Sequence, residues 1–148
     1  MGLLIYLDNC CFNRPYDDQS QVKIRLETEA KLYIQSQINS NDLSLAWSYI
    51  LDYENGRNPY PQRMEAICRW KSLATSYVVE SLEIKVRARL LVEKGLGTFD
   101  ALHLACSVAG GASVFLTCDN GILRKRSILE IPLRISSPLE FLEQGEDL

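Results

Sequence analysis

The sequence predicts a single α/β domain, a three-layer α/β/α sandwich around a mostly parallel five-stranded sheet. Three observations carry this. The chain opens on an apolar run, LLIYL, that ends abruptly in Asp8. Short apolar or β-branched runs then alternate with longer stretches of helical periodicity, the pattern of βαβ units with helices on both faces of a parallel sheet. No internal repeat, low-complexity segment or linker interrupts the 148 residues, a length that suits one domain with a sizeable core, residues 1–148.

The elements follow in order. Residues 3–7 predict a strand buried on both faces. From about Ser20 to Asn39, Val22, Leu26, Ala30, Ile34 and Ile38 recur at every fourth position, an amphipathic helix. Leu43–Ala46 predicts a second strand, running into a helix that starts near Ser48 and stops before Gly56 and Asn58-Pro59. A helix is expected around Arg63–Ala74, then a short third strand at Tyr77–Val79. Leu82–Lys94 predicts a helix closed by Gly95, and Thr98 is a candidate cap for the helix from Phe99 to about Ala109, broken by Gly110-Gly111. Ser113–Thr117 predicts the fourth strand, Asp119-Asn120-Gly121 a turn, Leu133–Ile135 the fifth strand, and Pro138–Gln144 a short helix.

Composition excludes several classes. Apolar residues make up 47% and charged residues 24%, ordinary for a folded soluble chain and unlike a disordered one. The net charge of −3 gives no global sign of nucleic-acid binding, so such binding must rest on local patches. The five cysteines, odd in number and with Cys10 and Cys11 adjacent, argue against a disulfide framework. Four of them lie in apolar stretches, where cysteine serves as a small core residue. No CxxC with a histidine partner occurs, so the pattern predicts no zinc site. The first residues lack a basic n-region and are expected to be a strand rather than a signal peptide. No stretch is long enough to span a membrane, and the cytoplasm is the expected location.

The acids point to chemistry. In an open parallel sheet, ligands bind beyond the carboxyl ends of the strands, where the strand order reverses. Asp8 ends the first strand and Asp119 follows the fourth, in SVFLTCD, at the equivalent place. Asp100 stands in the first turn of the helix GTFDALHLA, where a carboxylate is also favoured by the helix dipole alone. In ILDYE, Glu54 shares a helix side with Ile50 and Leu51 and is expected to face inward, leaving Asp52 as a solvated charge. Four carboxylates in one cleft repel one another unless a cation neutralises them. Hard Mg²⁺ or Mn²⁺ suits oxygen donors, keeps several waters and can activate one of them against a phosphodiester.

The order LDNCC…LDYEN…GTFDALHLA…LTCDNGILRK resembles that of PIN-domain nucleases along essentially the whole chain, with DALHLA and TCD its most specific words. The resemblance implies a PIN-like fold and a divalent-metal-dependent RNA endonuclease, often the VapC-type toxin of a bacterial toxin–antitoxin pair. On that likeness Asp8, Glu54, Asp100 and Asp119 are the catalytic, metal-holding set, while Asn9 and Thr117 support it. RNA is the implied substrate, a cognate antitoxin a candidate partner, and a homodimer the expected assembly. ENGRNPYPQR, after Glu54, departs from the commonest toxin sequences.

Basic residues follow the acids closely: Arg14 after Asp8, Arg57 after Glu54, and Arg124, Lys125 and Arg126 after Asp119. Each could offset a phosphate backbone, and each could equally be solvated surface. His103, the only histidine, is expected to pack or hydrogen-bond near the site rather than act as a base. Trp47 and Trp70 are expected to pack rather than stack on bases. Cys10 is not expected to be a nucleophile, because nearby carboxylates blunt a thiol and its spacing from Arg14 is not that of a thiol phosphatase loop. A signalling receiver domain would need an acid pair early, a phosphoacceptor after the third strand and a lysine after the fifth. The chain offers only Glu80 and Ser136-Ser137 at the last two places. A dehalogenase-type phosphatase would need an Asp where Cys10 stands. The remaining alternative is a PIN-like module kept for RNA binding or protein contact, whose mark would be loss of one or more of the acids.

Overall fold

In the computed structural model, which describes residues 2–144, five parallel strands form one sheet in the order β3-β2-β1-β4-β5. They are β1 (Leu4–Leu7), β2 (Ser44–Ser48), β3 (Ser76–Val78), β4 (Val114–Leu116) and β5 (Arg134–Ser136). Flanking them are α1 (Asn9–Asn13), α2 (Val22–Asn39), α3 (Tyr49–Gly56), α4 (Pro61–Lys71), α5 (Leu82–Glu93), α6 (Thr98–Ala109), α7 (Asn120–Lys125) and α8 (Pro138–Glu143). The chain builds outward from β1 to β3, returns, and adds β4 on the other side of β1. The order therefore reverses at the β1–β4 seam, the place where α/β sheets bind ligands. Pairing of Ile5 with Val114, Tyr6 with Phe115 and Leu7 with Leu116 sets the two strand ends level. Asp8 then donates its N–H to the Leu116 carbonyl at 2.9 Å, extending the ladder by one rung.

The three inner strands carry almost no exposed residue, because helices cover both sheet faces. Trp47, Tyr6, Phe12, Phe115 and Phe141 are the largest buried side chains. The helix ends obey local chemistry. Ser48 accepts the Leu51 N–H, Ser81 accepts the Ile84 N–H, and Ser137 with Glu140 closes a full capping box on α8. Gly95, at φ +103°, ends α5 in the left-handed region that disfavours side chains. No described helix is long and apolar enough to cross a membrane.

Four local expectations are corrected. The turn expected at Asp119–Gly121 is the start of α7, with Asp119 as its cap, and α1 directly after Asp8 was not anticipated. Gly97, not Thr98, is the N-cap of α6. On α2, only Ala30, Ile34 and Ile38 of the every-fourth-residue set are buried, while Val22 and Leu26 lie exposed. Asp52 is not a solvated charge. It accepts from the buried Trp47 Nε1–H at 2.8 Å, from the Lys71 ammonium at 3.1 Å and from the Tyr77 hydroxyl, tying α3 to β2, α4 and β3.

Because Trp47 is 1% exposed, its indole N–H has no water to fall back on if that acceptor is lost. Asp52→Ala is expected to lower unfolding free energy by about 1–3 kcal/mol in denaturant titrations, with the fold retained. A loss under a few tenths would mean that the indole finds another acceptor.

Candidate active site

Asp8 is both a cap and a buried carboxylate. One oxygen accepts the Asn9 N–H at 2.8 Å; the other accepts the Thr117 hydroxyl at 2.8 Å and lies 3.5 Å from the Cys10 thiol. Thr117, wholly buried, accepts in turn from the Asp119 N–H at 3.0 Å, so one hydroxyl ties the two acids across the seam. Asp119 spends its Oδ1 on the N–H groups of Gly121 and Ile122. Asp100, in the first turn of α6, faces the same crevice. Its carboxyl is pushed up to about 6, first by burial and then by the charges of Asp8 and Asp119, with Glu54 adding and His103 opposing. Burial, with Cys10 adding, pushes Asp8 up to about 8 against the pull of His103 and Thr117.

Glu54 points inward, as expected, and meets His103. The imidazole is 1% exposed, hydrogen-bonds through Nε2 to the Glu54 carboxylate and lies 3.8 Å from Asp8. On its other side Nδ1 is 2.6 Å from the Tyr6 hydroxyl, which is 2.6 Å from Ser48 Oγ. With Nε2–H donated to the carboxylate, Nδ1 must accept from Tyr6, and Tyr6 from Ser48. Burial pulls the His103 pKa down, but Glu54 and Asp8 outweigh it and the net movement is upward. His103 therefore hydrogen-bonds beside the acids and holds the Glu54 carboxylate.

The donor set fits a hard cation. All four acids offer oxygen, two have raised carboxyls that a cation would relieve, and the buried Asn9 Oδ1 beside them has no hydrogen-bond partner. Among the described residues the acids do not gather three ligand atoms within 4.8 Å, whereas three thiols do. The wider spacing suits an ion that retains its own waters.

The basic candidates divide. Arg57 is exposed, holds the Tyr53 hydroxyl at 3.2 Å and lines a depression of about 260 Å³ with Asn9, Glu54, Tyr60 and Arg63. Arg124 is exposed and Lys125 reaches the Gly95 carbonyl. Arg14 and Arg126 are engaged elsewhere, Arg14 by Asp17 and Glu27, Arg126 by both oxygens of Glu140. Arg63, which no acid-neighbour rule selected, stacks its guanidinium 3.9 Å from the Tyr60 ring centre. The signal for it was the unusual segment ENGRNPYPQR, whose chain forms one wall of the depression.

A parallel sheet in this strand order, flanked on both faces by helices, is a PIN-like fold. The comparisons agree: the chain has the VapC-type PIN-domain fold. It is similar to FitAcB from Neisseria gonorrhoeae (13% identity, TM-score 0.59), over 90% of this chain and 97% of that one. It is similar over 91% and 98% to VapBC2 from Rickettsia felis bound to a DNA fragment from its promoter (13%, 0.58). Over 92% and 98% it is similar to VapBC-1 from nontypeable Haemophilus influenzae (17%, 0.56). The sequence matches no family model and no curated protein.

The raised carboxyls make stability depend on pH. Asp8 and Asp100 hold a proton more tightly in the fold than in the unfolded chain, so their contribution is complete below about pH 4 and is lost as pH climbs through 6 and 8. His103, also raised, acts in the same direction. In chelator, Tm should fall by several degrees between pH 5 and pH 8. Asp8→Asn should flatten the upper part of that slope, and a Tm unchanged over this range would contradict the burial of these acids.

Proposed function

We propose that the protein is a divalent-metal-dependent RNA endonuclease and the toxin component of a toxin–antitoxin pair. The observation that carries the reading is the convergence of Asp8, Asp100 and Asp119 on the β1–β4 seam, where burial raises the carboxyls of Asp8 and Asp100 and the charges of Asp8 and Asp119 raise Asp100 further. Glu54, held by His103, completes the set. Bound there, Mg²⁺ or Mn²⁺ supplies Lewis acidity and a water of lowered pKa. Asp8, Asp100, Asp119 and Glu54 are the residues to hold it; Thr117 keeps Asp8 and Asp119 in register, and the Asn9 amide oxygen is free to accept from a bound water. Arg57 and Arg63 line one depression with Glu54 and Asn9, and are the groups to receive the phosphate backbone. The alternative of a PIN-like module without catalysis would be favoured by a missing acid, and all four are present.

Asp100→Asn keeps size and hydrogen bonding but removes a charge the cation needs. Cleavage of RNA in Mg²⁺ should fall by roughly a hundredfold or more, the loss of a few kcal/mol of transition-state stabilisation. His103→Ala, which only loosens Glu54, should cost far less. A fully active Asp100→Asn beside an inactive His103→Ala would replace the metal reading with histidine chemistry.

The partners rest on the resemblance and on two exposed apolar surfaces. Leu82, Val86 and Leu90, 77%, 48% and 54% exposed, form one stripe along α5. Val22, Leu26, Leu123 and Leu139 line a groove of about 390 Å³ formed by α2, α7 and α8. Apolar surface of this extent is covered in partnered proteins. We assign the α5 stripe to a second copy and the groove to an antitoxin segment. In sedimentation the protein alone should be a dimer at tens of micromolar, a range where a modest interface is occupied. Leu90→Glu should make it a monomer and Leu26→Glu should not; the reverse result would exchange the two assignments.

A further inference from the structure

Three cysteines converge directly beneath the acidic crevice, although nothing in their sequence spacing announces it. Cys10 and Cys11 lie in α1, Cys118 follows β4, and the β1–β4 pairing brings the two segments side by side. Their sulfurs all lie within 4.8 Å of one another, with Cys11 and Cys118 3.8 Å apart. A cation that binds thiolates at about 2.3 Å in tetrahedral geometry spaces its sulfurs about 3.8 Å apart, so the trio is already close to that arrangement. Cys11 and Cys118 are buried and Cys10 is partly open, which leaves an entry from solvent. The three thiols also make weak contacts to Asp8, Thr117, the Leu116 carbonyl and the Cys118 N–H, and Arg14 lies beside Cys118.

The surrounding charges match. Lys31 is 4% exposed and its ammonium lies 5.7 Å from the centre of the Phe12 ring; burial pulls it down to about 8, against Cys11 and Cys118, which favour its charge. Among the described residues no carboxylate pairs with it. A buried ammonium with no carboxylate partner is costly unless another anion faces it. Arg14 adjoins Cys118 and pairs with the buried Glu27 at 3.1 Å. Arg14 and Lys31 only partly offset three thiolates, Glu27 and the Asp8 carboxyl 3.5 Å from the Cys10 thiol, so the cluster has room for a cation's charge. Sulfur ligands exclude the hard ions suited to the carboxylates above.

We propose that Cys10, Cys11 and Cys118 form a tris-thiolate site for a zinc-class dication, distinct from the acidic site and completed by water. Hydrogen bonds from Cys10 and Cys11 hold the Cys118 thiol down to about 4, so binding releases the protons of Cys10 and Cys11 to solvent as three metal–sulfur bonds form. The ion clamps the start of α1 to the end of β4, the two segments on which Asp8 and Asp119 are mounted.

Reduced, chelator-stripped full-length protein titrated with CoCl₂ tests this. The expected result is a near-ultraviolet sulfur-to-cobalt charge-transfer band that saturates at one ion per chain and is bleached by ZnSO₄. Cys118→Ser and Cys11→Ser should abolish the band. Cys10→Ser, at the more open position, should weaken and shift it, and serves if the buried variants fail to fold by circular dichroism. Cys68→Ser and Asp100→Asn should keep it, which separates the thiolate site from the carboxylates. Absence of the band, its survival unchanged in Cys10→Ser, or its loss in Asp100→Asn would each overturn the proposal.

Discussion

The Thr117 hydroxyl, wholly buried between Asp8 and Asp119, is the contact on which the crevice depends. It donates to the Asp8 carboxylate and accepts the backbone N–H of Asp119. A hydroxyl can do both at once; an alkyl side chain of the same shape could do neither. Without it, one oxygen of a carboxylate that is 4% exposed would keep only a weak thiol donor. The parallel register of β1 against β4 supplies the other half of the constraint, since Leu7 opposite Leu116 sets Asp8 level with Thr117. Sequence dictates the strand ends, the strand ends dictate the seam, and the seam forces two acids together.

That closeness costs stability, and the surrounding groups limit the cost. Asp8 and Asp119 each act as a helix N-cap, so a carboxyl oxygen of each accepts backbone N–H groups even with no cation present. Glu54 is taken by His103, whose other nitrogen is satisfied by Tyr6, and Tyr6 by Ser48, which also caps α3. The chain of donors runs from a helix cap to a site acid through wholly buried groups. A fully satisfied network of this kind fixes one rotamer for each member. Asp100 has no such holder among the described residues, and its carboxyl is raised first by burial and then by the charges of Asp8 and Asp119.

Much of this was legible in the sequence, for identifiable reasons. The inner strands, buried on both faces, announce themselves as apolar runs, and the short β-rich runs of the edge strands mark the rest, so all five are placed to within about two residues, the usual uncertainty of element ends. Glu54 was separable from Asp52 because helix geometry puts Ile50 and Leu51 on its side. The solvated role for Asp52 failed because its partners Trp47 and Tyr77 sit on separate strands, which helix geometry does not see. The short helices α1 and α7 were hidden by ambiguity: an Asp followed by Asn is as good a turn as it is a helix cap. On α2, spacing alone could not show that the sheet covers only the later turns and leaves Val22 and Leu26 at a groove.

The thiol cluster shows where sequence reasoning stops. A zinc motif is recognised when its ligands are close along the chain, but Cys11 and Cys118 are separated by 107 positions and joined only by the pairing of two strands. The same pairing joins Asp8 to Thr117 across 109 positions. The seam that assembles an oxygen-donor site on its outer side therefore cannot avoid bringing together whatever residues follow the acids in α1 and precede Asp119 after β4. In this chain those residues are cysteines. Oxygen donors select hard ions and thiolates select soft ones, so a single register constraint yields two neighbouring donor sets of opposite preference, bridged at Cys10 and Asp8.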